Sequence, residues 1–268
     1  MAKGISLHIG LNKVDPAHYE GWEGRLAACE ADAKDMAALS KIQGFASSPL
    51  LLTKAATVAA VKDAMTAAAK QLVSGDIFFL TYSGHGGQVP DTNQDEPDRK
   101  DETWVLYDRM LVDDELFALY SAFKSGVRVL VLSDSCHSGT VIRGVPSFVD
   151  GSPARRVLPA DIGHKVYKAN KAEYDAVQAA TKPAETTKVK ASVLLVSGCQ
   201  DNQESLDGPR NGLFTGTLRK VWSNGKFVGD YRKLRDVIVS KMPSNQTPNF
   251  YVVGKSNPTF ETQKPFTL

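Results

Sequence analysis

Two short runs carry residues that could do covalent chemistry: Ser133-Asp134-Ser135-Cys136-His137-Ser138-Gly139 and Tyr82-Ser83-Gly84-His85-Gly86-Gly87-Gln88. A cysteine among Ser, Asp, His and Gly is not in the company of a small core hydrophobe. A free thiol has a pKa of about 8.5, and a neighbouring imidazolium can lower it by several units. Cys136 as thiolate and His85 as its imidazole partner are the minimum equipment for acyl transfer, in which sulfur attacks a carbonyl and the imidazole protonates the leaving amine. The glycines around His85 remove Cβ atoms that would block a substrate backbone, and they tolerate positive φ. His137 adjoins Cys136, and adjacent side chains point different ways, so it is not read as the base. Cys29 and Cys199 read as buried thiols, His8 as a core or edge histidine, and His18 and His164 as surface residues.

Each run needs an element to position it. Ile77–Tyr82 and Val127–Ser133 are apolar on both faces and read as buried strands of a parallel sheet. Loops at the carboxyl ends of such strands are where open α/β sheets place their sites. Ile5–Leu11, Leu50–Leu52, Ser192–Ser197 and Phe250–Val253 read as further strands. Helices are predicted at Asp32–Gln43, Thr57–Leu72, Asp113–Phe123, Thr215–Val221 and Tyr231–Met242. Glu102–Tyr107 reads as a hairpin arm, and Val89-Pro90-Asp91 as loop leading into an acidic stretch. Strands alternating with helices predict an α/β fold, a mostly parallel sheet with helices on both faces. A flavodoxin-like phosphate site at Gly84–Gly87 would want a helix directly after the glycines, and none is predicted there.

These segments resemble the caspase-like cysteine peptidases, and among them the metacaspases and their bacterial orthocaspase members. The two runs are similar to the halves of that family's Cys-His dyad. Leu26–Ala33 resembles its L-x-G-C-x-N-D-A, Val112–Leu116 its I-x-D-D-E-L, Ser197–Ser205 its S-G-C-x-D-x-Q-x-S, and Gly212–Thr215 its G-x-F-T. The resemblance implies the caspase–hemoglobinase fold with a six-stranded sheet. It also implies a cysteine endopeptidase with catalytic Cys136 and His85, and an oxyanion hole from the backbone N–H groups of Gly86 and Cys136. The S1 pocket, which holds the residue before the scissile bond (P1), would be lined by Asp134, Asp32 and Ser83. Carboxylates there imply cleavage after Arg or Lys, since opposite charge discriminates more strongly than size. Helix capping is the alternative role for Asp32. Arg25, near this segment, is the one residue of the wrong sign. Calcium activation through Asp98, Asp101, Asp113 and Asp114 is also implied, hard oxygens suiting that ion. Arg143, where the family has another acid, argues against it, and the chemistry itself calls for no cofactor.

The 268 residues, 42% hydrophobic and 23% charged, suit a single domain with a sizeable core. A net charge of +2 gives no reason to expect nucleic acid or a membrane surface as partner. With no secretory leader in view and three irregularly placed cysteines, the expectation is a cytoplasmic monomer acting on polypeptides with a basic P1 residue. The chain divides into a large-subunit-like part (1–141), a basic, Pro-containing linker (142–191) and a small-subunit-like part (192–268). The linker is expected to be exposed, and its middle, Ala169–Ala180, reads as a candidate helix. Such a loop beside a cleft that prefers basic residues should be cut by the enzyme itself. Arg143, Arg155 and Arg156 are candidates, the Arg155-Arg156 pair foremost. A catalytically silent scaffold is the alternative function.

Overall fold

The computed structural model describes residues 2–268 except 48, 93–98, 136–153, 186–188, 201, 202 and 204. In chain order the strands are β1 (Gly4–Gly10), β2 (Ala46–Ser47), β3 (Leu51–Leu52), β4 (Ile77–Ser83), β5 (Gly86–Pro90), β6 (Lys100–Val105), β7 (Met110–Val112), β8 (Arg128–Asp134), β9 (Ser192–Ser197) and β10 (Asn249–Gly254). The helices are α1 (Cys29–Ile42), α2 (Val58–Gln71), α3 (Asp113–Ser121), α4 (Ala160–Ala169), α5 (Lys171–Glu185), α6 (Leu213–Trp222), α7 (Tyr231–Val239) and α8 (Pro258–Thr262).

The main sheet runs β10-β9-β8-β4-β1, and the short β2 and β3 share the last position beside β1. Only β10 is antiparallel, so six positions form the mostly parallel sheet the sequence predicts. All seven residues of β1 and of β4 are buried because helices cover both faces. The period of two divides their side chains. Phe78, Leu80 and Val131 face a core completed by Val61 and Met65 of α2 and Leu119 of α3. Ile77, Phe79 and Leu130 face the other, closed by Met36 of α1, Leu218 of α6 and Leu234 of α7.

Register places the chemistry. Ser83 at the end of β4 pairs with Asp134 at the end of β8, and Gly10 of β1 pairs with Ser83. The His85 and Cys136 runs therefore leave neighbouring strands at one edge, and α1 starts beside them.

Three sequence expectations need correction. Val89-Pro90 is not loop: it closes β5, the edge of an antiparallel β5-β6-β7 sheet. Edge position explains why Pro90 is tolerated. Asp32 is not a cap: α1 begins at Cys29, and Asp32 lies buried within its first turn. The second half of the expected exposed linker forms two helices, α4 and α5, packed on the small sheet. Leu158, Val166, Tyr167 and Tyr174 bury against Val89, Val105, Met110 and Val112. The apolar stripe of α5 was hard to see because it includes Gln178, which is fully buried. That side chain accepts from the Thr92 N–H and donates to the Pro90 carbonyl, so burial leaves its polar atoms satisfied.

Tyr174 ties this layer together: its hydroxyl accepts from the Met110 N–H at 3.2 Å and pairs with His18 at 3.0 Å. Tyr174→Ala should cost on the order of 3 kcal/mol in denaturant unfolding and make residues 160–181 sensitive to added protease, because a large buried ring is lost.

Candidate active site

His85 follows β4 after a tight bend. The Tyr82 hydroxyl donates to the His85 carbonyl at 2.6 Å, and a Cβ at Gly84 would sit 2.6 Å from that hydroxyl. Tyr82 is itself stacked on Trp104, with centroids 4.5 Å apart, and the Trp104 indole N–H donates to Ser133 at 3.1 Å. The ends of β4, β6 and β8 are thus locked together. The imidazole packs against Trp22, and its Nε2 lies 2.9 Å from the Gly24 carbonyl. A carbonyl only accepts, which assigns the proton to Nε2 and leaves the lone pair on Nδ1. Nδ1 is buried and has no hydrogen-bond partner among the described residues. The Val157 backbone lies nearby but outside hydrogen-bond geometry. Burial lowers the His85 pKa to about 4. Trp22 and Gly24 carried no legible signal in the sequence, since they meet His85 only through the fold.

Cys136, with His137 and Arg143, lies outside the described residues. Its neighbour Ser135 is buried and bonded to Ser133. Cys29 and Cys199 are buried, as expected for inert thiols, and His8 is a satisfied core residue between Thr81 and Ser40. His164 is exposed, but His18, expected at the surface, is half-buried against Tyr174.

Asp32, Ser83 and Asp134 converge, and the group they surround is the chain's own Arg156, which is fully buried. Its Nη1 donates to Ser83 Oγ at 2.8 Å and to the Asp134 carbonyl at 3.1 Å, with Asp134 Oδ2 at 3.0 Å. Its Nη2 donates to Asp32 Oδ2 at 2.7 Å and to Asp207 Oδ1 at 3.0 Å. Burial alone would drive the proton off. Its anionic surroundings, Asp134 foremost, hold the Arg156 pKa well above its ordinary value. Burial pushes the Asp32 carboxyl up, and Arg156 acts against that rise. Arg25 plays no part here, being exposed and paired with Glu23.

The acids are held by their own partners. The Thr215 N–H and hydroxyl donate to Asp134 Oδ2 at 3.0 and 2.7 Å, and Ser205 donates to Oδ1 at 2.5 Å. The Gly212 N–H and the Asn211 amide donate to Asp32. Gly212 has an ordinary backbone conformation, so space and not φ requires glycine there. A Cβ would lie 2.5 Å from the guanidinium carbon.

The Arg156 backbone is held like a strand. Its N–H donates to the Ser205 carbonyl at 2.9 Å, and the Asp207 N–H donates to the Ala154 carbonyl at 2.7 Å. The Arg155–Leu206 bridge is antiparallel. The Gly86 N–H donates to the Arg156 carbonyl at 3.0 Å, and the Leu158 N–H donates back to the Gly86 carbonyl at 2.7 Å. Arg155 and Arg156, read as surface residues of one basic pair, therefore have different surroundings: Arg156 is enclosed and Arg155 half-buried.

Asp113 and Asp114 sit with Asp101 and Glu102. Burial, then Glu102, Asp101 and Asp114, raise the Asp113 pKa to about 9. Asp98 lies outside the described residues, and among the described ones no three such side chains converge in a geometry that could hold a metal ion.

The profile of the peptidase family C14, the caspase domain, matches residues 9–266. Metacaspase-1A of Aspergillus terreus (strain NIH 2624 / FGSC A1156) is 30% identical, with 86% of this chain and 63% of that protein covered. Metacaspase-1 of Mycosarcoma maydis is 29% identical, covering 89% of this chain and 68% of that one. The chain thus spans about three fifths of the length of its Aspergillus relatives. A crystal structure of protein GSU0716 from Geobacter sulfurreducens is 53% identical, covers 99% of this chain and 98% of that one, and superposes with a TM-score of 0.87. Caspase-1 from Spodoptera frugiperda shares the fold at 10% identity, with a TM-score of 0.55 over 94% of this chain and 86% of that one.

Two outcomes follow from this geometry. Gly212→Ala should fold but expel the guanidinium, at a cost on the order of 3 kcal/mol for the unpaired charges. Added trypsin should then cut after Arg156 in that variant and spare it in the parent, both carrying Cys136→Ala. The second outcome concerns pH. The folded pKa of His85 lies below the unfolded value of 6.5, so on acidification the unfolded chain takes up its proton first. The His85 contribution to stability should be intact above pH 6.5 and be lost progressively toward pH 4. His85→Gln should flatten that fall in thermal scans, leaving the parts due to His8, whose pKa is lowered to about 3 by burial, and to His18, lowered by the same cause.

Proposed function

The chain belongs to the caspase-domain peptidase family C14, and from that premise we propose that it is a cysteine endopeptidase that cleaves after basic residues and first cuts itself between Arg156 and Val157. The observation that carries this reading is the double hold on Arg156. Its guanidinium sits among buried carboxylates while its carbonyl accepts from the Gly86 N–H at 3.0 Å. A side chain bound by charge, with its carbonyl oxygen on a backbone donor, is how a scissile peptide is presented for acyl transfer.

In the proposed reaction, Cys136 sulfur, its proton passed to His85 Nδ1, attacks the Arg156 carbonyl carbon. The resulting oxyanion is stabilised by Gly86 N–H and Cys136 N–H. His85 returns the proton to the Val157 nitrogen as the C–N bond breaks, leaving a thioester on Arg156. Water, deprotonated by His85, attacks the thioester; the C–S bond breaks, and a free Arg156 carboxylate and the thiol result. Asp32, Ser83 and Asp134 bind the P1 side chain, and a second polypeptide with a basic P1 residue is turned over in the same way once Arg156 has left. The alternative, a silent scaffold, has no use for a peptide bond held on an oxyanion donor.

The test is intact mass and N-terminal sequencing of purified wild type, Cys136→Ala and Arg156→Ala. Wild type should give a fragment starting at Val157, and the two variants should stay whole there. Asp134→Ala should lower cleavage of Arg-peptides in trans by roughly 30-fold or more, since loss of a buried charge partner costs ~2–5 kcal/mol. A folded wild type that neither cuts itself nor cleaves basic peptides would establish the scaffold reading.

A further inference from the structure

We propose that Asp207 is a third carboxylate of the P1 pocket and that it makes the pocket select arginine over lysine. This deepens the function proposed above and rests on it.

Three observations place Asp207 in substrate binding and not merely beside it. Its Oδ1 lies 3.0 Å from Arg156 Nη2. Its carboxylate is fixed independently of any ligand, accepting from the Ala27 N–H at 2.6 Å and the Ala28 N–H at 3.3 Å at the start of α1. It is therefore positioned before a substrate arrives, which saves ordering cost on binding. Its own N–H donates to the Ala154 carbonyl, so one residue reads both the side chain at P1 and the backbone two residues before it.

The selectivity follows from how the contacts divide. Nη1 serves Ser83 and Asp134, and Nη2 serves Asp32 and Asp207. The two sets lie on different arms of a planar fork, and Gly212 forms a wall that leaves no room for a Cβ beside that plane. Lysine offers one nitrogen on an unbranched stem. It can reach one arm's acids and must leave the other's buried with backbone or side-chain donors but no cation, a penalty that contact with the first arm does not repay. Asp207 marks the second arm, so its charge should matter far more for arginine than for lysine.

The experiment uses enzyme incubated until intact mass shows complete cleavage after Arg156 in every variant, and two peptides identical except for Arg or Lys at P1. It compares wild type with Asp207→Glu and Asp207→Gln, a pair alike in size and different in charge. Wild type should favour Arg at least roughly tenfold in kcat/KM. Asp207→Gln should lose about 30-fold or more on Arg, mostly through KM, and about threefold or less on Lys, as expected for loss of one buried charge partner. Asp207→Glu should keep a preference for Arg. Should Gln disturb the Ala27 contact and unfold the chain, Asp207→Asn, which retains an acceptor for that amide, gives the same comparison. A folded neutral variant whose Arg-to-Lys ratio stays within threefold of wild type would overturn the inference, as would a wild type that cleaves both peptides equally. Failure of wild type to cleave after either residue is a different result: it would overturn the peptidase reading beneath it.

Discussion

One guanidinium, that of Arg156, sits at the meeting point of segments from every part of this chain. Asp32 comes from α1, Ser83 and Asp134 from the ends of adjacent strands, and Asp207 from the segment before α6. Without a cation these carboxylates would be buried close together, an arrangement that water cannot relieve and that charge repulsion opposes. With it, the acids become the reason that distant segments stay in register. A buried ion cluster of this kind is weak as a source of net stability. It is strong as a selector of geometry, since a loss of any partner leaves a charge with no outlet.

The cluster works only because the sheet is parallel at its centre. Parallel neighbours deliver their carboxyl ends to one edge, so Ser83 and Asp134 are paired in register and the loops after them open side by side. An antiparallel pairing would send one of them to the far end. The Tyr82–Trp104 stack and the Trp104–Ser133 bond then fix how the loops leave the sheet. On the other side of Gly86, strand β5 offers its edge to Leu158, so the same backbone that donates to the Arg156 carbonyl also receives the residue two positions on.

The strands that make the sheet were legible because burial on both faces leaves continuous apolar runs, as in Ile77–Ser83. The acids at Asp32 and Asp134 were legible through resemblance, and the structure brings both of them to Arg156. The approach of Asp207 and Gly212 to Arg156 leaves no mark in the sequence. An acid in a polar stretch and a glycine before a helix have many ordinary explanations, and only the contact with Arg156 distinguishes them. The α4–α5 layer was misjudged for a related reason. Its buried face is built from Tyr167, Tyr174 and Gln178, whose polar atoms hide the helical period in a segment rich in lysine. Residues 157–158 read as ordinary linker because their burial depends on docking to β5, a long-range event that local pattern does not record.

The strand order carries a consequence for any molecule severed after Arg156. β9 belongs to the second piece, yet it lies between β8 of the first piece and β10 of its own. β8 and β9 share a full parallel ladder, and α6 and α7 cover strands of both pieces. The two pieces thus meet along one continuous sheet at the β8–β9 ladder, and each of the large cores draws residues from both. A nick at this point changes the number of chains without changing the number of particles. What it frees is the conformation of the new ends, while the β8–β9 ladder still joins the two pieces.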